Sequence, residues 1–322
     1  MARVWRLVSM SRLTLPRLIV LCVTVCLLVT IYLSLMPVQE QCPPCPIAAT
    51  SWTGHQRRVD HSADQSDHPE WGLHKLAVIV PFRDRFEELQ EFVPHMHNFL
   101  SKKKIRHTIF IINQADGLRF NRGSLINIGY LVSKKEGCDY IAMHDVDLLP
   151  LNPELSYDFP EEGPFHVSSP WLHPLYHYKT FVGGILLLRN EHFQLVNGLS
   201  NRYWGWGRED DEFYVRIKQA KLNIFRPANF TTGYHTFKHI HDRKKRKRDM
   251  KKTPDQKETA RHRDYETGVN NVQYEVDSIR YMEVDGSPFT VVNVVLICDL
   301  TVTPWCEPLD VQANSLKRKS VG

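Results

Sequence analysis

Two carboxylates stand two residues apart, directly behind an apolar stretch of the chain. Residues 140–143 predict a buried strand, Asp145-Val146-Asp147 follows it, and Pro150 marks a loop behind. Alternate residues of a strand point the same way, so we expect Asp145 and Asp147 to address one site while Val146 faces the core. Carboxylate oxygens suit Mg²⁺ or Mn²⁺, which often bind through one or two carboxylates plus substrate phosphates. The pattern indicates a metal-dependent nucleotide-sugar transferase; a solvated or capping pair of acids is the alternative.

A second cluster, at 203–212, combines aromatic and acidic residues with glycine. Glycines beside large aromatic rings predict a loop that can move, with Trp206 within it. The acids at 209–212 could cap a helix predicted over 212–220. Four consecutive acids beside two tryptophans are an unusual helix cap, so we favour a catalytic acid or base that faces a sugar.

Two histidines, His239 and His241, lie at i and i+2 in a stretch that predicts a strand, so both imidazoles share a face. Such a pair can bind one metal ion, and a mixed oxygen and nitrogen site with Asp147 would suit Mn²⁺. Six consecutive basic residues follow at 243–248. They predict either a solvated mobile loop or a contact with an anionic polysaccharide or peptide.

Strands that alternate with helices must position these residues. Short apolar runs at 76–81 and 108–113 predict two further buried strands, and helix-like patterns follow each of them. This spacing is typical of βαβ units with a parallel sheet, whose ligands bind beyond the carboxyl ends of the strands. Arg83-Asp84-Arg85 and Asp145-Val146-Asp147 both follow strands, so both can face one crevice. The chain contains neither a Walker nor a dinucleotide glycine motif.

The N-terminal region predicts a membrane anchor. Residues 18–39 contain no charge, 18–36 are long enough to span a bilayer as a helix, and arginines precede them. The positive-inside rule then places the N-terminus in the cytosol and the rest in a lumen; a cleaved signal peptide is the alternative. The predicted organisation is a cytosolic tail 1–17, a signal anchor 18–36, a flexible stem 37–70, a lumenal catalytic domain 71–309 and a C-terminal tail 310–322.

A lumenal location has chemical consequences. Cys298 and Cys306 could pair in an oxidising compartment, whereas Cys138 has no obvious partner. The sequon at 229–231 would be available for glycosylation. Net charge is only +5 and hydrophobic content is 42%, as in ordinary globular proteins, and we expect no nucleic-acid partner.

Five motifs together resemble the β-1,4-galactosyltransferase family: VPFRDR at 80–85, FNRG at 120–123, DVD at 145–147, GG at 183–184 and WGWGREDD at 204–211. The resemblance extends from about Leu73 to Cys306. It implies a type II Golgi membrane enzyme that uses Mn²⁺ and UDP-galactose. It also implies the GT-A fold, an α/β nucleotide-sugar transferase fold with a Rossmann-like, mostly parallel sheet.

The resemblance also implies roles for individual residues. Asp147, His239 and His241 would hold Mn²⁺. The nucleotide-sugar donor would contact Pro81, Phe82, Arg83, Arg85, Phe120, Asp145 and Trp206. Glu209 and Asp210 would meet the sugars, with Asp210 as catalytic base, and Tyr176, Tyr178 and Asp211 would contact the acceptor.

Three further segments, at 173–179, 239–241 and 298–306, resemble the branch of the family that transfers galactose to xylose on proteoglycan core proteins. The expected reaction is therefore inverting, Mn-dependent transfer from UDP-galactose to the xylose 4-hydroxyl. Two alternatives remain at this point. One is a transferase for N-acetylglucosamine acceptors or N-acetylgalactosamine donors, and the other is a non-catalytic glycan-binding module.

Overall fold

The structure, a computed structural model, describes residues 20, 23–30, 67–259 and 262–308. The chain divides into two units, 1–59 and 60–322. In the first unit, residues 20 and 23–30 are helical, and the rest of the predicted anchor lies outside the described residues. So do the predicted tails 1–17 and 310–322 and most of the predicted stem. Within the described part of the chain, no helix is long and apolar enough to cross a membrane.

The second unit is built on one seven-stranded sheet with strand order β5-β6-β3-β1-β2-β9-β8. Its strands are β1 (Lys75–Phe82), β2 (Arg106–Gln114), β3 (Tyr140–His144), β5 (Phe165–His166), β6 (Ile185–Arg189), β8 (Tyr274–Val284) and β9 (Ser287–Leu296). The central strands β3, β1, β2 and β9 are parallel, and those at both margins are antiparallel. The predicted parallel sheet is thus confirmed at its centre, within a mixed sheet.

Helices cover the sheet on both faces. They are α1 (Phe86–Lys102), α2 (Arg122–Lys135), α3 (Asn190–Leu195), α4 (Glu209–Gln219) and α5 (Pro254–Thr259). On one face, Phe92 and Met96 of α1 share a core with Val78 and Val80 of β1. On the other, Leu125, Ile126 and Ile128 of α2 share a second core with Ile79, Phe110 and Ile112. Consecutive residues of β1 and β2 therefore enter opposite cores, which is why these strands are apolar throughout.

Two predicted element boundaries are wrong in an informative way. Helix α4 begins at Glu209 rather than at 212, so the four acids form its first turn instead of preceding it. Negative side chains are favourable there because they oppose the positive end of the helix dipole. Asp145-Val146-Asp147 lies in a turn between β3 and a short strand β4 (Leu148–Pro150), not on a strand. Val146 is nevertheless buried in the core, as predicted.

The short strand β4 pairs with β7 (Phe237–His239) in a separate two-stranded sheet. Beyond β9, Cys298 and Cys306 form a disulfide, which confirms the predicted possibility, and Cys138 is buried with a free thiol.

Candidate active site

A cleft of about 650 Å³ opens beyond the carboxyl ends of β1 and β3. It collects nearly every residue that the sequence marked: Pro81, Arg83, Arg85, Phe120, Asp145, Asp147, Tyr176, Tyr178, Trp206, Glu209, Asp210, Asp211, His239 and His241. Phe82 is the exception. Its side chain is 2% exposed and lies in the core, so a contact of Phe82 with a nucleotide stays a prediction.

The proposed metal ligands come together because a backbone bond joins their segments. The Ile240 N–H donates to the Asp147 carbonyl oxygen at 2.9 Å, which places a histidine on each side of the carboxylate. His241 Nδ1 lies 3.0 Å from Asp147 Oδ2, and His239 Nε2 lies 3.9 Å from Asp147 Oδ1. Arg85 Nη1 lies 3.2 Å from His241 Nδ1. Strand β7 ends at His239, so Ile240 and His241, which were predicted to be part of a strand, lie just beyond it.

The chemistry of this donor set fits a divalent cation. Burial raises the pKa of Asp147, but the hydrogen bond from His241 and the charges of His239, His241 and Arg85 outweigh it, so this pKa lies below its ordinary value. Burial lowers the pKa of His239, which keeps its ring neutral with a free lone pair. An ionised carboxylate and neutral imidazoles are what Mn²⁺ requires. Within the described residues, no three such side chains are already arranged as a complete metal cage.

Arg122 links the two acidic motifs of the cleft. Its Nη2 donates to Asp145 Oδ1 at 2.9 Å, and its Nη1 donates to Asp210 Oδ1 at 2.9 Å. The guanidinium is only 13% exposed, and these carboxylates raise its pKa further against the effect of burial. It stands in the first turn of α2, where the Asn121 side chain accepts from the Ser124 N–H and caps the helix.

Two carboxyls at the start of α4 are hard to ionise. Burial raises the pKa of Asp210 to about 7; Glu209 and Asp145 add to the effect, and Arg122 only partly offsets it. Burial also raises the pKa of Glu209, whose Oε2 has no hydrogen-bond partner among the described residues. The backbone before the helix is strained, because Arg208 has a φ of 80°.

Gly183 makes room for the Asp210 carboxylate. A Cβ at Gly183 would lie 2.3 Å from Asp210 Oδ2 and 2.7 Å from the Phe181 ring. The glycine pair at 183–184, which the sequence analysis singled out, therefore has a steric reason to be here: the backbone passes directly beneath the carboxylate.

Aromatic rings form the other wall of the cleft. The rings of Tyr176 and Tyr178 lie 5.1 and 5.4 Å from that of Phe181. Tyr178 and Trp206 are 44% and 39% exposed, so both offer free ring surface. Burial, and then the nearby carboxylates of Asp211 and Asp210, raise the pKa of Tyr178, which keeps its hydroxyl protonated.

One end of the cleft is shaped by Arg83. Its guanidinium donates to the carbonyl oxygens of Gln114, Leu118 and Asp116, and it lies 5.8 Å from the Phe120 ring centroid. These bonds hold the loop after β2 against the loop after β1. Phe120 is thereby placed at the cleft edge.

The Trp206 loop is covered by the basic segment, which we define as residues 243–252. Arg248 Cζ lies 4.8 Å from the Trp206 ring centroid, and the backbone N–H of Trp206 donates to the Asp249 carbonyl oxygen at 2.9 Å. Buried Arg119 donates to Asp249 Oδ2 and to the Lys251 carbonyl oxygen, at 2.6 Å each.

Sequence reasoning assigned no individual role to Arg122, Arg119 or Arg248, although Arg122 stood in the FNRG motif and Arg248 in the basic run. Arg122 stood directly before a predicted helix, but nothing in the sequence identified the carboxylates that it contacts. The partners of Arg119 lie some 130 residues away or more, so nothing local marked it.

The sheet is parallel at its centre, and one cleft holds both an Asp/His set suited to a metal ion and a group of acidic side chains. This combination is that of a nucleotide-sugar glycosyltransferase. Comparisons with known proteins agree. Residues 50–159 match the model of the N-terminal region of glycosyl transferase group 7, and residues 163–240 match that of the N-terminal domain of galactosyltransferase.

Individual relatives are close. The chain is 64% identical to mouse beta-1,4-galactosyltransferase 7 over 236 residues, which span 73% of this chain and 72% of the mouse protein. It is 52% identical to Caenorhabditis elegans xylosylprotein 4-beta-galactosyltransferase over 239 residues, 73% of this chain and 82% of that protein.

A solved structure matches as well. A Drosophila beta-1,4-galactosyltransferase 7 variant, in complex with manganese, UDP-Gal and xylobiose, superposes with a TM-score of 0.71. It is 55% identical and covers 73% of this chain and 99% of that one. The chain belongs to the β-1,4-galactosyltransferase family, and its fold is the expected GT-A type.

The raised pKa of Asp210 predicts a pH dependence. Asp210 is protonated below a pH of about 7, so any reaction that needs its carboxylate should lose rate as the pH falls through that value. Arg122→Gln should move the midpoint of kcat/KM to higher pH, because the Arg122 cation favours the ionised form. We would compare pH profiles of the wild type, Arg122→Gln and Lys102→Gln, a surface control. An unchanged midpoint in a folded Arg122→Gln variant would contradict the assignment.

Proposed function

We propose that this protein is an inverting transferase that moves galactose from UDP-galactose to the 4-hydroxyl of xylose on a proteoglycan core protein. The observation that carries the proposal is the cleft itself, which is lined both by Asp147 with His239 and His241 and by Asp210. The xylosylprotein name of the nematode relative, and the manganese, UDP-Gal and xylobiose bound by the Drosophila relative, support this donor and acceptor.

The stereochemistry explains why one base suffices. UDP-galactose is an α-glycoside and the product is β, so a single in-line displacement inverts the anomeric carbon. The xylose O4 forms the new bond while the bond to the UDP oxygen breaks, and Asp210 takes the O4 proton. A pKa near 7 suits this step, since the carboxylate is then both ionised near neutrality and a stronger base than an ordinary aspartate.

Departure of UDP needs charge neutralisation. Asp147, His239 and His241 would hold Mn²⁺, which supplies Lewis acidity toward the diphosphate when it is bound. Arg85 lies beside this set, 3.9 Å from the Asp147 carboxylate, and adds a fixed positive charge next to the leaving group.

The rest of the cleft orients the two sugars and excludes water. Arg83 and Phe120 bind the nucleotide base, and Asp145 contacts the donor's ribose or galactose. Trp206 lies over the donor, which protects it from hydrolysis. Tyr176 and Tyr178 present apolar ring faces that suit the C–H face of a pyranose, while Asp211 and Glu209 accept hydrogen bonds from sugar hydroxyls.

Asp210→Asn tests the base. The substitution keeps the shape of the side chain and removes its basicity, so kcat should fall by roughly 10²–10⁴, while UDP binding should survive. Asp211→Asn is the matched control and should lose less kcat. The measurement is galactose transfer to a simple β-xyloside with parallel UDP titration. Near-normal kcat in a folded Asp210→Asn variant would refute the mechanism; equal turnover on N-acetylglucosamine would refute the acceptor.

The metal assignment has its own test. His239→Ala and His241→Ala each remove one donor from a small set, so the Mn²⁺ concentration needed for half-maximal turnover should rise about tenfold or more. Mn²⁺ binding in the presence of UDP, followed by electron paramagnetic resonance, should weaken in parallel. His177→Ala removes a nearby imidazole outside the set and serves as control. Unchanged Mn²⁺ titrations in both ligand variants would rule the site out.

We further propose a type II Golgi membrane location, with residues 18–36 as the anchor and the catalytic domain in the lumen. The support is the uncharged span at 18–39 and the arginines before it. In intact microsomes, protease should cleave a tag at the N-terminus and spare a tag at the C-terminus. A secreted product that begins after residue 36 in unstressed cells would argue for a cleaved signal peptide.

A further inference from the structure

Positive charge is concentrated in the basic segment. Its ten residues carry eight lysines and arginines and one aspartate, a net charge of +7 against +5 for the whole chain. The remainder of the chain is therefore slightly acidic. Such a local field attracts acidic partners and steers their approach.

The basic segment is fixed at two points. Near one end, Arg246 donates to both carboxylate oxygens of Glu88, at 2.7 and 2.8 Å. Toward the other end, Arg119 holds Asp249 and the Lys251 carbonyl oxygen. These contacts do not fit a fully solvated, mobile loop, which was one of the two interpretations of the sequence.

Several of its cations are used internally. Lys245 pairs with Glu87, Arg246 pairs with Glu88, Arg248 stacks on Trp206, and the Lys252 Nζ donates to the Gly207 carbonyl oxygen. The others are exposed, and no ion pair between described residues involves them: Arg243, Lys244, Lys247 and Lys251.

Of these unpaired cations, Lys247 lies at the cleft itself. Lys251 follows three residues beyond Arg248. Arg248 in turn lies 5.8 Å from the ring centroid of Tyr176, a proposed xylose contact, and 4.8 Å from that of Trp206. A xylose bound against Tyr176 would carry its polypeptide past Arg248, whose near neighbours in the chain include Lys247 and Lys251.

We infer that Lys247 and Lys251 bind carboxylate side chains of the acceptor polypeptide beside its xylosylated residue. The inference rests on the proposed function, because it concerns the same acceptor. A polypeptide fits better than a polysaccharide, since the acceptor carries only one sugar when it reaches this enzyme. Exposed charges at an interface rim act mainly on association rate and on salt dependence.

The test uses the full-length protein in detergent micelles, saturated with UDP-galactose and Mn²⁺. Three acceptors are compared: a simple β-xyloside, a xylosylated peptide with Asp and Glu flanking the sugar, and the same peptide with Asn and Gln instead. The wild type should prefer the acidic peptide by about three- to tenfold in kcat/KM. That preference should vanish near 1 M salt, where the Debye length is about 3 Å.

Lys247→Gln/Lys251→Gln should abolish the preference, and Lys247→Glu/Lys251→Glu should reverse it. Both should leave turnover of the β-xyloside within about twofold. Lys102→Gln/Lys135→Gln removes two exposed lysines from the ends of α1 and α2 and should retain the wild-type preference. This control separates a local contact from a change in overall charge.

Each other outcome is decisive. Equal kcat/KM for the two peptides, with full turnover of the β-xyloside, would overturn the docking site alone. No turnover of any xyloside would refute the proposed function and the inference with it. A raised KM for UDP-galactose in the lysine variants would assign these cations to the donor. Inhibition by heparin without peptide discrimination would assign them to a polysaccharide, and both results would overturn the inference.

Discussion

One buried guanidinium holds the cleft together. Arg122 joins the end of β3, through Asp145, to the start of α4, through Asp210. Without it, the carboxyls of Asp145, Glu209 and Asp210 would face one another in a poorly solvated space, and the pKa of Asp210 would rise further. The cap at Asn121 fixes where α2 begins and therefore where this cation stands. A single cation therefore fixes the end of β3 and the start of α4 relative to each other.

A second arginine, three residues earlier in the loop that leads into α2, organises another part of the cleft rim. Arg119 is 5% exposed and donates to the side chains of Asp249 and Gln256 and to the carbonyl oxygen of Trp305. Its own N–H donates to the Cys306 carbonyl oxygen, so the disulfide-closed end of the domain braces the same point. One loop therefore sets both the acidic interior of the cleft and the position of the basic segment above it.

Much of this arrangement could be predicted locally. The apolar runs of β1, β2 and β3 identify the centre of the sheet, and the carboxyl-end rule brings Asp145 and Arg83 to one crevice. The start of α4 was misplaced because Arg208 takes a left-handed conformation that no residue type announces. The role of Arg122 was not predicted for another reason. Its partners lie 23 and 88 residues away, and ion pairs between residues so far apart produce no periodic pattern in the sequence. Phe82 was assigned by motif, although its position in the strand directs the ring to the core.

The raised pKa of Asp210 also links the cleft to the stability of the fold. An unfolded aspartate has a pKa near 3.8, whereas the folded protein holds this group at about 7. Between those pH values the folded state binds one more proton at Asp210 than the unfolded state does. Lowering the pH therefore raises the free energy of unfolding through this residue, while it also protonates the carboxylate. Asp147, whose pKa is lowered, contributes the opposite trend at lower pH. Near and above neutrality the ionised Asp210 carboxylate therefore lowers stability, so the pH that best preserves this part of the fold lies below the pH at which that carboxylate is available.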